Sequence, residues 1–169
     1  NVDFDIKNKI TLYEIDCDDA DTTSKRNIIF QNIHDGFFCL LDDDTLFLDV
    51  MYRTYQKFSA ENYIGMIIGK QINKQGFIRL HESIPRYGKI DTGSVLCHHG
   101  CLKNCAWPAT HSKGSAKDYM FWKMVYDYYD KKCFLLNKTI SVYNKLGINI
   151  GTKNITVNMP AKKRKFNGR

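Results

Sequence analysis

The amino-acid sequence predicts a single α/β domain, because short apolar runs typical of strands alternate with longer segments of helical periodicity. The clearest strand is Phe38–Leu41, four apolar residues that run directly into Asp42, Asp43 and Asp44. The clearest helix is Ala116–Tyr129, which is amphipathic. With 169 residues and 43% hydrophobic content, the chain is long enough for one core and hardly long enough for two.

The first half of the chain contains three predicted strands and two predicted helices. An alternating strand is expected at Ile10–Ile15, and a helix capped by Thr22, Thr23 or Ser24 is expected to run through Ile33. Phe37–Leu41 is the apolar strand, Leu46–Phe58 carries a helical apolar face, and Tyr63–Ile68 is a further strand.

The second half begins with a loop and a short strand around Phe77–Leu80. Asp91–Cys97 is expected to be a loop that enters a strand, His98–Cys105 a turn or short helix, and Trp107–Ser115 a loop. The helix Ala116–Tyr129 follows. The last predicted strands are Cys133–Leu136 and Ile140–Tyr143.

The acidic triplet Asp42, Asp43 and Asp44 is the strongest chemical signal. A continuous apolar run predicts a strand buried on both faces, in the middle of an α/β sheet. Ligands of open α/β sheets bind at the carboxyl ends of such strands, where the triplet lies. Adjacent carboxylates repel unless a cation offsets them, and oxygen ligands suit Mg²⁺ or Mn²⁺. The alternative is a solvated acidic turn.

Charge and composition restrict the possible partners. The net charge is +7, which suits a nucleotide, a nucleic acid or a membrane surface. Part of the excess lies in Lys162–Lys165, so we expect residues 1–150 to be the domain and 151–169 a mobile basic tail. No run approaches the roughly 18 apolar residues of a membrane span, and no secretory signal is visible. The chain does not begin with Met, so we expect its true N-terminus to be missing.

The six cysteines are scattered rather than arranged as a disulfide framework. Cys39 and Cys133 are interpreted as small buried hydrophobic residues. A reducing, cytoplasmic setting is therefore expected.

Four stretches together resemble the GT-A glycosyltransferases, most closely family 2 and its relatives. They are Lys25–Asn27, the strand and acidic triplet Gly36–Asp44, the loop Ile90–Ser94, and the helix start Ala116–Trp122. The resemblance spans roughly residues 10 to 143. It implies a central, mostly parallel sheet flanked by helices. Enzymes of this outline occur in bacterial polysaccharide pathways and in large DNA viruses. The expected location is the cytoplasm, which would be the host cytoplasm for a viral protein.

The chain departs from the family pattern in two ways. Nothing like the family's opening "Ile-Ile-Pro-Thr-Tyr-Asn" strand and loop precedes Ile10, so part of the nucleotide pocket is expected to be absent from this sequence. Lys117 occupies a position where the family usually has Glu, which leaves Asp118 as the carboxylate there.

The resemblance implies a donor site at the acidic triplet. Asp42 and Asp44 fulfil the Asp-x-Asp motif. Asp44 is expected to coordinate Mn²⁺ or Mg²⁺ directly, while Asp42 faces the ribose or metal-bound water and Asp43 assists in cofactor binding. A third metal ligand is expected to be a histidine, with His111 assigned and His98 and His99 as the other candidates. From the residues themselves, Arg26 near a helix start suits a phosphate or base carbonyl; the alternative is a solvated helix charge.

The acceptor side is expected to involve Asp118 and Asp91. Asp118 matches the family's general base, and would orient a substrate instead if the enzyme retains configuration; the alternative is a carboxylate favoured by the helix dipole. Asp91 and Trp107 are expected to line the acceptor pocket, although Trp107 could be a core residue. The expected function is a metal-dependent transfer of a sugar from a nucleoside-diphosphate donor, with UDP the favoured nucleotide, to a glycan hydroxyl.

Two other functions remain open. A zinc-binding module would use a dense patch of cysteines and histidines, although no clean pair of Cys-x-x-Cys motifs is present. Its members are Cys97, His98, His99, Cys101, Cys105 and His111. A nucleic-acid-binding module would use the basic tail, but the acidic triplet argues against nucleic acid approaching that face.

Overall fold

The computed structural model describes residues 13–16, 22–40, 42, 45–109, 115–143 and 164–167. The helices are α1 (Thr22–Phe30), α2 (Asp49–Ala60) and α3 (Ser115–Tyr128), and two 3₁₀ turns cover Thr92–Ser94 and His99–Lys103. The strands are β1 (Tyr13–Asp16), β2 (Phe37–Phe38), β3 (Thr45–Phe47), β4 (Met66–Asn73), β5 (Ile78–Leu80), β6 (Val95–His98), β7 (Cys133–Tyr143) and β8 (Arg164–Asn167). The predicted α/β class is confirmed.

Six strands form one mixed sheet in the order β2-β6-β4-β7-β3, and β5 pairs with the outer part of β4. Strand β6 is antiparallel to both β2 and β4, and β3 is antiparallel to β7. Among the pairings described for this sheet, β4 with β7 is the parallel one. A parallel pair requires a long crossover, and the connection from β4 to β7 contains α3. The expectation of a mostly parallel sheet is therefore wrong.

Strand β2 lies at one edge of the described sheet rather than in its middle. It contains only Phe37 and Phe38, and before β3 the amide of Thr45 donates to the carbonyl of Asp42 at 3.1 Å. Phe38 is buried because its ring packs against Phe30 of α1 and Trp122 of α3. The apolar run thus reflects cover by helices, and the predicted central position of this strand is wrong.

Helices cover both faces of the sheet, because successive residues of a strand point to opposite sides. Met66 and Ile68 of β4 belong to the core cluster that contains residues of α1 and α3. Ile67, between them, belongs to the cluster that contains residues of α2. The prediction of a sheet flanked by helices is confirmed.

Several element boundaries differ from the sequence-based expectation, and α1 ends at Phe30 instead of running through Ile33. Residues 45–47 form β3 because they pair with β7, so α2 begins only at Asp49. Strand β4 continues to Asn73, where it turns into β5. The two late strands are one continuous strand, β7.

Several sequence-based expectations concern the C-terminal segment or residues outside the described ranges. Within the segment expected to be a basic tail, Arg164–Asn167 form β8, which pairs in parallel with β1. The rest of residues 151–169 lies outside the described residues, and so do Asp43, Asp44 and His111. Among the described helices, none is long and apolar enough to cross a membrane.

Gly69 provides a test of the packing between β4 and β7. A methyl group at this position would lie 2.6–2.7 Å from three carbon atoms of the buried, β-branched Ile140. We expect Gly69→Ala to lower the free energy of unfolding by about 1–3 kcal/mol, measured by urea denaturation. In an Ile140→Ala background the same change should be close to neutral, because the clashing atoms are gone. Equal effects in both backgrounds would contradict this packing.

Candidate active site

Asp42 follows β2, and both of its carboxylate oxygens are held by residues from other elements. Its Oδ1 accepts a hydrogen bond from Nη2 of Arg26 at 2.9 Å. Its Oδ2 accepts one from the hydroxyl of Thr92 at 2.7 Å. The carboxylate at the end of this strand therefore joins α1 to the turn before β6.

Arg26 lies between two carboxylates. Its Nη1 is 4.0 Å from Oδ1 of Asp118, while its Nη2 binds Asp42. The guanidinium stacks on the ring of Trp107, with 4.1 Å between Cζ and the ring centroid. Stacking on an aromatic face fixes a planar cation without using its hydrogen-bond donors. Arg26 can thus present its donors to both acidic side chains.

Trp107 is itself fixed by the residue after Arg26. The side-chain amide of Asn27 donates to the carbonyl of Trp107 at 3.1 Å, and its oxygen accepts from the Trp107 amide at 2.7 Å. The Trp107 side chain is 2% exposed and packs against Phe121 of α3. Trp107 is therefore a core residue, which is one of the two alternatives that the sequence left open, and not an exposed platform for a sugar.

Asp118 lies in the first turn of α3. Burial is the main cause that raises the pKa of this carboxyl to about 7, and the nearby Asp91 and Asp42 raise it further. Arg26 and Arg79 act in the opposite direction. A carboxyl group whose pKa lies near neutrality is suited to accept a proton in general base catalysis.

Asp91 is buried and fully engaged. Its Oδ1 accepts from the amide of Gly93 at 3.0 Å and from Nε2 of Gln71 at 3.3 Å. Its Oδ2 accepts from Nη1 of Arg79 at 2.9 Å. These contacts hold the 3₁₀ turn that carries Thr92. A catalytic role for Asp91 stays a prediction, and its contacts give it the task of positioning this turn.

Lys117, at the position where Glu was expected from the family pattern, reaches across to α1. Its ammonium donates to the hydroxyl of Thr23 at 3.0 Å, and that hydroxyl donates to the carbonyl of Pro108 at 3.3 Å. The first turns of α1 and α3 are therefore joined by side chains, which explains how Arg26 and Asp118 come together.

The candidate metal-binding histidines do not join Asp42 in the described structure. Nδ1 of His98 accepts from the amide of Gly100 at 3.1 Å, and the His99 ring lies 3.1 Å from the carbonyl of Gly36. Both rings are beside the beginning of β2, whereas Asp42 follows its end. His111, the assigned ligand, lies outside the described residues.

The cysteine and histidine patch is not arranged as a metal centre where it is described. Sγ of Cys97 and Sγ of Cys101 are 3.8 Å apart, and both residues are buried. Within the described ranges, no group of three or more His, Cys, Asp or Glu side chains could hold a metal ion. Cys39 and Cys133 are half-buried free thiols, and burial raises the pKa of each to about 12.

A hard cation fits the chemistry of the acidic triplet, but the described residues supply only part of a site. Both oxygens of Asp42 are already engaged, which matches a position beside a metal rather than a direct bond to it. Direct coordination by Asp44, and the assistance expected from Asp43, stay predictions.

The structure brings Arg26, Asp42 and Asp118 together; the sequence had marked each of them separately and had not marked the side chains that support them. Thr92, Arg79 and Gln71 each contact a site carboxylate, although Gln71 and Asp91 are 20 residues apart in the chain. Thr92 lies inside the loop Ile90–Ser94 that resembles the family, so its hydroxyl could have been recognised as a possible partner of a site carboxylate. Nothing in the sequence indicated that Arg79 and Gln71 contact Asp91, because this contact depends on the hairpin of β4 and β5.

Neither the models of known protein families nor the curated proteins contain a match to this chain.

The raised pKa of Asp118 predicts a pH dependence of stability. The unfolded chain loses this proton near pH 3.8 and the folded protein near pH 7, so between these values the folded state binds more protons. The free energy of unfolding therefore falls as pH rises through this window. We expect Asp118→Asn to gain stability relative to the parent across it, by about 4 kcal/mol at most.

Chemical denaturation between pH 4 and about 8 measures this difference. Asp127→Asn is a matched control, because it removes a carboxylate from the exposed side of the same helix. A stability difference between Asp118→Asn and the parent that is constant across the window would contradict a raised pKa.

Proposed function

We propose that the protein is a metal-dependent glycosyltransferase of the GT-A type that moves a sugar from a nucleoside-diphosphate donor, with UDP the favoured nucleotide, to a hydroxyl of a glycan acceptor. The observation that carries the proposal is the group of Asp42, Arg26 and Asp118. Three separate segments, quoted from the sequence for their family resemblance, converge on this group. The α/β architecture with helices on both sides of the sheet is compatible with it.

Asp118 is proposed as the general base. An acceptor hydroxyl must lose its proton as it attacks the anomeric carbon, and a base is most effective when its pKa lies near the working pH. Burial raises the pKa of Asp118 to about 7. If the reaction retains configuration, the same side chain orients a substrate instead.

Arg26 and Asp42 are proposed to lie on the donor side. The guanidinium is held in place by Trp107 and by Asp42, so its position does not depend on the substrate. A fixed cation stabilises the negative charge of a diphosphate leaving group. Asp42 keeps that cation in place and is available to a ribose hydroxyl or to metal-bound water.

Mn²⁺ or Mg²⁺, held by Asp44, would neutralise charge on the diphosphate when bound. Asp43 is proposed to support this site and His111 to complete it. The support for this assignment is sequence proximity, because Asp43 and Asp44 directly follow Asp42 and His111 is four residues from Trp107.

The direct test is a panel of sugar nucleotides incubated with Mn²⁺ and scored for release of free nucleotide. We expect one donor class to be turned over, with activity lost on chelation. Asp44→Ala should lower the metal-dependent rate at least about a hundredfold, because charge stabilisation by a metal contributes several kcal/mol.

Asp49→Ala is the matched control, because Asp49 is an exposed carboxylate that pairs with Arg53 on α2, away from the cluster. It should keep the parental rate. Metal-dependent turnover that survives in Asp44→Ala would contradict the metal assignment, and no turnover of any sugar nucleotide would contradict the proposed function.

The electrostatic arrangement also predicts the pH profile of the reaction. The value of kcat/KM should rise with pH through about 7 as Asp118 loses its proton. Arg26 lowers the pKa of Asp118, so Arg26→Gln should move the midpoint upward by about one pH unit. Arg26→Lys keeps the charge and should move it less. A midpoint that is the same in the parent and both variants would mean that another group controls the profile.

A further inference from the structure

The hairpin of β4 and β5, residues Met66–Leu80, ends in an ordered turn with an apolar tip. The side-chain oxygen of Asn73 accepts hydrogen bonds from the amides of Gln75 and Phe77, both at 3.0 Å. Gly76 has a φ of +86°, a conformation that suits glycine. Beyond this turn, Phe77 is 71% exposed and Ile78 is 60% exposed. The tip is therefore held in shape although its side chains are exposed to water.

All charged residues of the same hairpin are basic. It contains Lys70, Lys74 and Arg79 and no acidic residue. Among the described residues, no carboxylate forms an ion pair with Lys70 or Lys74. The charge of these two lysines is thus available to an external anion.

A cavity of about 340 Å³ opens beside the turn. Its lining residues are Asn73, Lys74, Gln75, Arg79 and Tyr143. Arg79 is stacked on Tyr143, with 4.0 Å between Cζ and the ring centroid, and is tied to Asp91. The cavity therefore presents the fixed cation Arg79 and, next to the apolar tip, Lys74, which has no ion-pair partner among the described residues.

We propose that the β4–β5 hairpin docks on an anionic phospholipid surface. Phe77 and Ile78 enter the boundary between headgroups and acyl chains, and Lys74 with Arg79 binds headgroup phosphates at the cavity. Exposed apolar side chains combined with cations are what interfacial membrane binding requires. Because the turn is already ordered, little conformational entropy is lost on docking. This inference does not depend on the proposed glycosyltransferase activity.

Two other occupants fit the hairpin less well. A second copy of the chain, bound through the same tip, would bring two basic hairpins together, and their like charges would repel. A nucleic acid would use the cations and could stack on Phe77, but the aliphatic Ile78 would gain little from a polyanion. An anionic lipid surface accommodates both the apolar and the basic side chains.

Cosedimentation with vesicles tests the proposal in the absence of any sugar nucleotide. We expect the full chain to bind vesicles that contain phosphatidylglycerol and not vesicles of phosphatidylcholine alone. Phe77→Ser with Ile78→Ser should weaken binding about tenfold or more. Lys74→Gln should weaken it about fivefold.

Ile64→Ser is the matched control. Ile64 is 58% exposed and precedes the opposite end of β4, so it has the same apolar character at a different place. It should bind anionic vesicles as tightly as the parent. Equal losses in Ile64→Ser and in the Phe77 and Ile78 double variant would overturn the proposal, because binding would then reflect general surface hydrophobicity.

A fluorescence variant keeps the proposal testable if the serine variants fold poorly. Both native tryptophans, Trp107 and Trp122, are buried, so Phe77→Trp adds the one exposed indole. Its emission should shift to shorter wavelength on addition of phosphatidylglycerol vesicles. An unchanged emission, or tip-dependent self-association without vesicle binding, would overturn membrane docking by this hairpin.

Discussion

The arrangement of the candidate site depends on one cation. Arg26 is stacked on the buried ring of Trp107 and lies between Asp42 and Asp118. Without a positive charge between them, two carboxylates in a partly buried space would repel, and one would take up a proton. The same side chain therefore joins α1, the end of β2 and the start of α3, and it opposes the rise in the pKa of Asp118 that burial and Asp91 cause.

The helices can converge in this way because the apolar core beneath them is continuous. Phe30 at the end of α1 stacks on Phe121 of α3, with 5.2 Å between ring centroids, and Phe121 also contacts Trp107. Helical periodicity and the apolar positions of these segments were readable from the sequence. The sequence therefore placed Arg26, Asp42 and Asp118 each at a helix start or strand end, whereas their meeting is shown only by the structure.

Strand direction and the supports of the site could not be read in the same way. A short apolar run indicates burial, but it does not say whether a sheet or a helix provides the cover. Phe38 is buried by Phe30 and Trp122 at the edge of the sheet, so the burial predicted for this residue is confirmed and the predicted central position is wrong. The other described residues of the run, 37, 39 and 40, are half-buried. Arg79 and Gln71 reach Asp91 only because β4 and β5 form a hairpin beside β7, and this pairing has no local sequence signature.

The acidic residues of the site differ in how completely their oxygens are satisfied, and this difference separates their tasks. Asp91 receives three hydrogen bonds, one of them from the cation Arg79, and is closed to a ligand. Asp42 receives two, from Arg26 and Thr92. Within the part of the chain that the structure describes, the ion-pair partner of Asp118 is the guanidinium of Arg26 at 4.0 Å, so its burial is poorly compensated. A poorly compensated buried carboxyl holds its proton most strongly, so proton transfer near neutral pH has a physical basis at Asp118. Asp91, by contrast, keeps the turn with Thr92 in place beside Asp42.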